Sequence, residues 1–300
     1  IARRQRQMCI RDRYKALSKI FNSGVLTDIA KGDLSYVFKM VNKFFPEDDT
    51  KLSLKELYEK TYQILLRQYP NEYIYKNLIA NKILLGRHSL NTATMLSEFR
   101  VGTNKADCVI LNGKSTCYEI KTDYDSLARL DDQLDAYTQV FDDVYVVCSQ
   151  KHVKSVLEKT KASIGVIFLS EKMTFQEIRK AHHNEIKNKK LLLQALRKNE
   201  YVELIQNLTG EVLEAPNTQL FDLCLEKLYL NNDEKKLNSL FIETLKKSRK
   251  NNEHFITHMP NSLVNAIISY KFNKLQIRSL IDYFATEEKL NVLSNITRKA

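Results

Sequence analysis

Residues 107–121 read Asp-Cys-Val-Ile-Leu-Asn-Gly-Lys-Ser-Thr-Cys-Tyr-Glu-Ile-Lys, and this stretch decides the fold. Two short apolar runs flank Asn112-Gly113, a pair that is typical of the tight turn of a β-hairpin. The pattern therefore predicts two antiparallel strands, over residues 106–111 and 116–122. The hairpin is the centre from which the rest of the chain can be assigned.

The hairpin belongs to a longer alternation of strands and helices. A strand is predicted before it, over residues 95–101, and two more after it, over residues 144–148 and 164–169. Apolar residues at helical spacing predict a helix within residues 127–141 and another over residues 151–161. This order predicts an α/β fold in which an antiparallel hairpin is followed by helical crossovers to parallel strands.

Helical patterns flank this α/β region on both sides. We predict an N-terminal helical segment over residues 14–90, which includes the first core helix, and a core sheet over residues 91–170. Pro70 interrupts the first helical pattern, and Asn71 suits the N-cap of the helix that follows. From residue 171 to residue 300 the chain is predicted to be an all-helical C-terminal domain.

The first thirteen residues differ from the rest of the chain. They contain five arginines and one aspartate, and residues 8–13 resemble translated sequencing-adapter readthrough. Residues 1–13 are therefore predicted to be a non-native leader. Without them the net charge falls from +11 to +7, which is compatible with a polyanionic partner but does not require one.

Composition narrows the class of protein. An apolar fraction of 43% with 28% charged residues is typical of a soluble globular chain. No stretch approaches eighteen consecutive apolar residues, and the start of the chain lacks the apolar run of a secretory signal. We therefore expect a cytoplasmic protein without a membrane span. The cysteines are widely spaced without a CxxC motif, so they support neither a disulfide framework nor a zinc site. Cys108, Cys117 and Cys148 each lie inside an apolar run and are predicted to be buried thiols.

Three charged residues of the hairpin are candidates for a site. Glu119 and Lys121 are two positions apart on one strand, so their side chains project from the same face of the sheet. Asp107 lies on the partner strand. Whether it joins the other two depends on the length of the turn, because a shift of one residue moves a side chain to the opposite face.

Two turns are possible at this position. A two-residue turn would pair Leu111 with Lys114 and place Asp107 on the wrong face. A three-residue loop with Gly113 in the left-handed region would pair Ile110 with Lys114 and bring Asp107 to the face of the other two. A functional site therefore predicts the three-residue loop.

Grouped in this way, the three residues suit the hydrolysis of a phosphodiester. Two carboxylates are hard oxygen ligands that hold Mg²⁺, or Mn²⁺ in its place, while leaving positions for water and phosphate. The ion activates water and stabilises the leaving oxygen, and a lysine beside it orients water or neutralises charge. The alternative is a solvated strand face with a simple Glu–Lys pair. Charges among apolar strand residues favour the site, because burial is costly for a charge that neither pairs nor coordinates.

The same residues resemble a known family. Asp107 followed by Glu119-Ile120-Lys121, within this order of elements, resembles the PD-(D/E)XK nuclease superfamily, with Ala106 in place of the signature proline. Gln133 and Tyr137 lie four apart on the following helix and resemble the Gln-x-x-x-Tyr motif of the RecB-like branch. The resemblance implies a restriction-endonuclease-like core with the order α-β-β-β-α-β.

Residues 98–107 and 118–130 more closely resemble an uncharacterised bacterial and phage-associated family of the same superfamily, in a match over about residues 70–150. The family implies a nuclease fold and does not indicate a substrate. The superfamily mostly cleaves DNA, so the resemblance to it implies DNA as the preferred substrate, while RNA, including tRNA, stays open. It implies neither an oligomeric state nor a sequence or structure specificity. The alternative is a non-catalytic DNA-binding or interaction protein on a nuclease-like scaffold.

The resemblance also implies roles for individual residues. Asp107 and Glu119 would bind Mg²⁺ together with the backbone carbonyl of Ile120. Lys121 would orient or activate water, and Gln133 would assist it.

Three further residues are candidates for supporting roles. Glu72 lies where superfamily members often place a supporting acid, although an acid in the first turn of a helix also stabilises that helix. Glu98 shares a strand face with Arg100, and the two could simply pair. Tyr137 could be an ordinary core residue.

Overall fold

The computed structural model of the chain describes residues 11–45, 52–185 and 188–290. These residues form two compact units. The sheet unit is Lys82–Asn251, and the helical unit combines the described residues before Lys82 with those after Asn251. Most of the expected leader, residues 1–10, lies outside the described residues, and residues 11–18 are helical.

The strands and helices are numbered in chain order. The strands are β1 (Thr94–Val101), β2 (Asn104–Leu111), β3 (Ser115–Lys121), β4 (Asp143–Ser149), β5 (Gly165–Leu169) and β6 (Phe175–Arg179). The helices are α1 (Ser23–Ala30), α2 (Ser35–Phe44), α3 (Leu54–Gln68), α4 (Glu72–Ile79), α5 (Leu130–Tyr137), α6 (Val153–Lys159), α7 (Lys189–Gln194), α8 (Lys198–Thr209), α9 (Leu220–Leu230), α10 (Glu234–Ser248), α11 (Glu253–Thr257), α12 (Val264–Ser269) and α13 (Lys274–Ala285). A π-helical segment, Ala80–Leu85, follows α4.

A six-stranded mixed sheet forms the centre of the sheet unit, and its strands lie side by side in chain order. β1, β2 and β3 are antiparallel neighbours, β3, β4 and β5 are parallel neighbours, and β6 returns antiparallel to β5. The predicted α/β class, the antiparallel hairpin and the parallel strands reached through helices are confirmed.

β6 contradicts the prediction that the chain is all-helical from residue 171. The chain reverses directly after β5, where the N–H of Ser170 donates to the carbonyl of Thr174 at 2.9 Å. Met173 occupies the turn with φ +56°, a conformation that non-glycine residues seldom adopt. Because no Gly, Asn or Pro marks this turn, the local sequence gives no signal for the strand that follows.

One face of the sheet buries a large apolar core. Leu130, Leu134 and Tyr137 of α5 lie in this core with strand residues such as Val109 and Val146, and with residues of α8, α9 and α10. Cys108, Cys117 and Cys148 are buried thiols as predicted, Cys224 is buried as well, and Cys9 lies outside the described residues. Cys117 belongs to this core and lies two residues before Glu119 on β3, so the core packs against the same face of the sheet that carries Glu119 and Lys121.

The helical unit is built from two segments of the chain, one before Lys82 and one after Asn251. Asn71 caps α4 as predicted, because its side chain accepts from the N–H of Ile74. Asn77, fully buried on α4, donates to the carbonyl of Asn261 and accepts from the N–H of Asn265, each at 2.9 Å. The predicted C-terminal helical domain is thus divided, since residues 171–251 belong to the sheet unit and the described residues after 251 to the helical unit. Over the described part of the chain, no helix has the length and apolar character to cross a membrane.

Candidate functional site

The turn of the β2–β3 hairpin has three residues, Asn112, Gly113 and Lys114, because Leu111 pairs with Ser115. Gly113 has φ +94°, and the N–H of Asn112 donates to the carbonyl of Lys114 at 3.0 Å. The odd loop length and the left-handed glycine are therefore as predicted.

The predicted pairing of Ile110 with Lys114 is wrong, since Ile110 pairs with Thr116. The register differs by two residues, which leaves every side chain on its predicted face. Two aspartates just before and at the start of β4 explain the shift. The N–H of Ser115 donates to Asp142 at 2.8 Å, and the ammonium of Lys114 pairs with Asp143, so Lys114 lies in the turn. The adjacent Asp142-Asp143 pair before an apolar run was the available signal in the sequence.

The observed register brings Asp107 to Glu119. Cys108 pairs with Tyr118, so one step further along the hairpin Asp107 lies opposite Glu119. The carboxylate of Asp107 accepts a hydrogen bond from the backbone N–H of Ile120, with an N–O distance of 2.7 Å. The side chain of Asp107 is thereby oriented toward the strand that carries Glu119.

Glu119, Lys121 and Gln133 form a buried polar cluster. Their exposed fractions are 2%, 7% and 8%. The ammonium of Lys121 donates to Oε1 of Glu119 at 2.7 Å and to Oε1 of Gln133 at 2.8 Å. Strand β3 supplies the first two residues and α5 the third. The solvated strand face considered above is therefore ruled out for these side chains.

The cluster contains polar atoms that its own residues do not satisfy. Oε2 of Glu119 and the hydroxyl of Tyr137 are buried, and neither forms a hydrogen bond of good geometry with a described residue. Burial raises the pKa of Glu119, and the ammonium of Lys121 opposes that rise. The hydroxyl of Tyr137 nevertheless lies close enough to Glu119 to lower the pKa of its carboxyl group. Burial, followed by the negative charge of Glu119, also raises the pKa of Tyr137. A negative charge at Glu119 is therefore costly unless a further cation or donor is present.

Glu98 lies beside Asp107 at an irregularity in β1. The ladder between β1 and β2 passes from the Ser97–Cys108 pair to the Phe99–Ala106 pair, and Glu98 has φ +56°. A carboxylate oxygen of Glu98 lies within 4.8 Å of one from Asp107.

Glu98 also pairs with Lys105, with 2.9 Å between Oε2 and Nζ. The alternative pair of Glu98 with Arg100 is not observed, and the sequence had given no indication of Lys105 as a partner. The structure therefore assigns Glu98 a cation on the neighbouring strand.

Glu72 lies in the helical unit, where it occupies the first turn of α4 and pairs with Lys76 one turn later. This contact stabilises α4 by itself. Its role as a supporting acid stays a prediction.

The fold and the site together define a mixed α/β protein whose central hairpin and following helix bury a carboxylate, a lysine and a glutamine in contact. The family described as Bacteriophage P4 protein cII matches residues 66–276, more than two thirds of the 300 residues. The chain therefore belongs to the bacteriophage P4 protein cII family.

Protein cII of Enterobacteria phage P4 is 30% identical over 147 residues, which are 47% of this chain and 56% of that protein. The chain thus spans about half the length of the curated relative that it matches. A protein of unknown function from Silicibacter pomeroyi has a structure similar over 32% of this chain and 65% of its own, with 15% identity and a TM-score of 0.27. A score this low says nothing about the fold of the chain.

Proposed function

We propose that the sheet unit is a metal-dependent nuclease with a restriction-endonuclease-like core, and that it hydrolyses phosphodiester bonds in DNA. One observation carries the proposal. Glu119 is buried beside Asp107, and its Oε2 forms no hydrogen bond of good geometry in the described part of the chain. A buried carboxylate of this kind is stabilised by a cation. The order of β1 to β4 and α5, with acids on β2 and β3, supports the assignment of the core.

The residues present fit a divalent metal ion. Asp107, Glu119 and the carbonyl of Ile120 would supply the hard oxygen ligands that Mg²⁺ takes and Mn²⁺ accepts. When bound, such an ion polarises the phosphodiester and lowers the pKa of coordinated water. The hydrogen bond from the N–H of Ile120 to Oδ2 of Asp107 orients this carboxyl group toward β3, the strand that carries Glu119.

Lys121 is the positively charged side chain of the cluster that it forms with Glu119 and Gln133. Its ammonium has three N–H donors, and Glu119 and Gln133 accept two of them. The third donor is proposed to hold the attacking water or a phosphate oxygen. An ammonium fixed by two acceptors needs little rearrangement as negative charge develops on the phosphate, which is the condition for effective electrostatic stabilisation.

The proposed preference for DNA comes from the resemblance to PD-(D/E)XK nucleases. Membership in the phage P4 protein cII family agrees with the expected bacterial or phage setting. RNA cleavage, including cleavage of tRNA, is an outcome that the following experiment distinguishes.

The proposal is tested by incubating the purified chain with duplex, single-stranded and branched DNA, and with tRNA and unstructured RNA. Each substrate is tested with Mg²⁺, with Mn²⁺ and with EDTA. We expect metal-dependent cleavage of DNA that Lys121→Ala reduces by about 100-fold or more. Lys159→Ala changes an exposed lysine on α6 and should leave cleavage unchanged. Failure of the wild-type chain to cut any substrate would refute the proposal and favour a non-catalytic DNA-binding or interaction protein.

A further inference from the structure

Two cations face each other across the β1–β2 hairpin. Arg100 of β1 and Lys105 of β2 are register partners, and both are exposed. Like charges directly opposite each other destabilise an antiparallel pair. Lys105 is neutralised in part by Glu98, while Arg100 forms no ion pair with a residue that the structure describes. The arrangement leaves excess positive charge that the fold itself does not use.

This cation pair lies at the same end of the sheet as the candidate site. β2 runs antiparallel to β3, so the start of β2 and the end of β3 lie side by side at that end. Lys105 precedes Asp107 by two residues on β2, and Lys121 ends β3. An anion bound between Arg100 and Lys105 would therefore lie beside the residues proposed to act on a phosphodiester.

The backbone holds the two cations in place. Val101 pairs with Asn104, so only Gly102 and Thr103 form the turn, and Gly102 has φ +59°. The side-chain amide of Asn104 donates to the carbonyl of Asp132 on α5 at 3.3 Å. α5 also carries Gln133, which contacts Lys121. A short turn tied to the same helix as the site fixes the backbone positions of Arg100 and Lys105 relative to that site.

We infer that Arg100 and Lys105 bind the phosphate backbone of a nucleic-acid strand next to the bond proposed to be cleaved. Arginine forms bidentate hydrogen bonds to a phosphate, and lysine adds a second positive charge. Contacts of this type position the strand and carry no sequence information. The inference rests on the proposed function for the identity of the site, but binding can be measured without cleavage.

The test measures how salt weakens the binding of a fluorescently labelled DNA oligonucleotide by the full chain, with Lys121→Ala as the background in Mg²⁺. Arg100→Gln removes the unpaired cation and keeps the Lys105–Glu98 pair. Each phosphate contact that is lost lowers the slope of log K against log salt concentration by about 0.7 to 0.9. We expect a decrease of that size for Arg100→Gln and about twice that for Arg100→Gln with Lys105→Gln.

Two control proteins keep the test specific. Arg100→Lys with Lys105→Arg retains both charges and should retain the salt dependence. Lys235→Gln with Lys250→Gln removes two exposed lysines near the opposite end of the sheet. Lys235 lines a cavity with Asp142, which precedes β4. Lys250 precedes Asn251, whose side chain donates to the carbonyl of Met95 near the start of β1. This control should bind like the background protein.

The outcomes separate the inference from the proposed function. An unchanged slope in Arg100→Gln, with an unchanged circular dichroism spectrum, overturns the inference, as does the absence of binding by the background protein at low salt. Neither result tests the proposed nuclease activity, which is measured separately by cleavage with the wild-type chain. A reduced slope, together with a wild-type chain that cuts nothing, supports the inference and refutes the nuclease.

Discussion

Lys121 is held from two sides by neighbours that are themselves buried. Glu119 supplies a charged acceptor from the same strand, and Gln133 supplies a neutral one from α5. Because the side chain of lysine is long and flexible, two fixed acceptors restrict the positions of its ammonium. In the proposed nuclease, Gln133 is therefore a positioning residue that acts through Lys121.

Gln133→Met removes one acceptor at similar volume and leaves the ion pair with Glu119. We expect kcat to fall about tenfold, the equivalent of one ordinary hydrogen bond, while KM changes little. The measurement is steady-state cleavage of a labelled DNA substrate. Asp135 lies on the same helix as Gln133 and forms an exposed ion pair with Lys161. Asp135→Ala removes that pair and should leave both constants unchanged. A Gln133→Met protein with wild-type kcat would contradict the positioning role.

The sequence predicted the composition of this cluster well. The spacing of Glu119 and Lys121 determined that they share a face, and the position of Gln133 on the next helix came from the resemblance to a nuclease motif. The salt bridge between Glu98 and Lys105 was missed because Lys105 precedes the predicted second strand, residues 106–111, and the register of β1 against β2 was not predicted. In the observed register the two residues are diagonal neighbours, which brings their side chains within reach of each other.

At the scale of elements, the start of β5 shows a close approach that only glycine allows. A Cβ atom on Gly165 would lie 2.3 Å from the ring of Tyr145 and 2.8 Å from the backbone nitrogen of Ala181. The Tyr145 ring stacks on Tyr118 with 5.7 Å between the ring centroids, which limits how far it can move away. The space beside β5 is therefore filled by neighbouring residues.

Gly165→Ala is expected to lower the free energy of unfolding by about 1–3 kcal/mol, the usual cost of adding volume to a packed region. Chemical denaturation followed by circular dichroism measures the change. Gly24→Ala is the matched control, because a Cβ at Gly24 in α1 meets nothing within 4 Å. An unchanged midpoint for Gly165→Ala would show that the contacts at β5 are looser than the structure indicates.

Elements with a strong local pattern were predicted, and those determined by their neighbours were not. The first five strands follow apolar runs, and the odd loop of the hairpin followed from requiring one face for three charges. β6 was missed because it is an exposed edge strand that gains its structure from pairing with β5. The π-helical segment Ala80–Leu85 has an ordinary helical sequence pattern, so nothing in the sequence distinguished it from an α-helix.

At the scale of the whole molecule, a buried ion pair joins distant parts of the sheet unit. Glu200 of α8 is fully buried and accepts from the guanidinium of Arg249 at 2.7 and 2.6 Å. The hydroxyl of Ser248 and the N–H of Arg197 also donate to it. Burial by itself raises the pKa of Glu200, but the hydrogen bonds from Arg249 and Arg197 outweigh it, so the pKa lies below its ordinary value of 4.5.

This shift predicts a pH dependence of stability. Because the carboxyl group has a lower pKa in the folded chain than in the unfolded chain, it contributes stability above about pH 4.5 that is lost as the pH falls through the folded value. Denaturation at a series of pH values should show a smaller acid-induced loss for Glu200→Gln than for the wild type. Glu203→Gln, which removes a more exposed pair with Lys247, should follow the wild-type curve. Identical curves for Glu200→Gln and wild type would contradict this role.

Arg249→Ala tests the same pair from the other side. Removal of the cation leaves a buried carboxylate without its main partner, which costs about 3–5 kcal/mol of unfolding free energy for a buried pair. Denaturation at neutral pH measures this loss, and Lys247→Ala provides a control with a more exposed partner. A loss below about 1 kcal/mol, the level of a surface ion pair, would contradict the burial of the pair.

The division of the chain into two units was not predicted from the sequence. The sequence predicted contiguous domains, whereas the helical unit joins the segment before Lys82 to the segment after Asn251 through hydrogen bonds of Asn77 with Asn261 and Asn265. These hydrogen bonds join residues more than 180 positions apart. Local patterns of polarity contain no information about contacts of that range.

Asp107 and Glu119 are proposed to hold a divalent metal ion, and a Mn²⁺ titration followed by electron paramagnetic resonance tests this site most directly. We predict saturable binding by the wild-type chain, which Asp107→Asn and Glu119→Gln each weaken by about tenfold or more. Glu158→Gln, which changes an exposed acid on α6, should bind like the wild type. Absence of saturable binding by the wild-type chain, or binding that neither substitution changes, would contradict the proposed metal site.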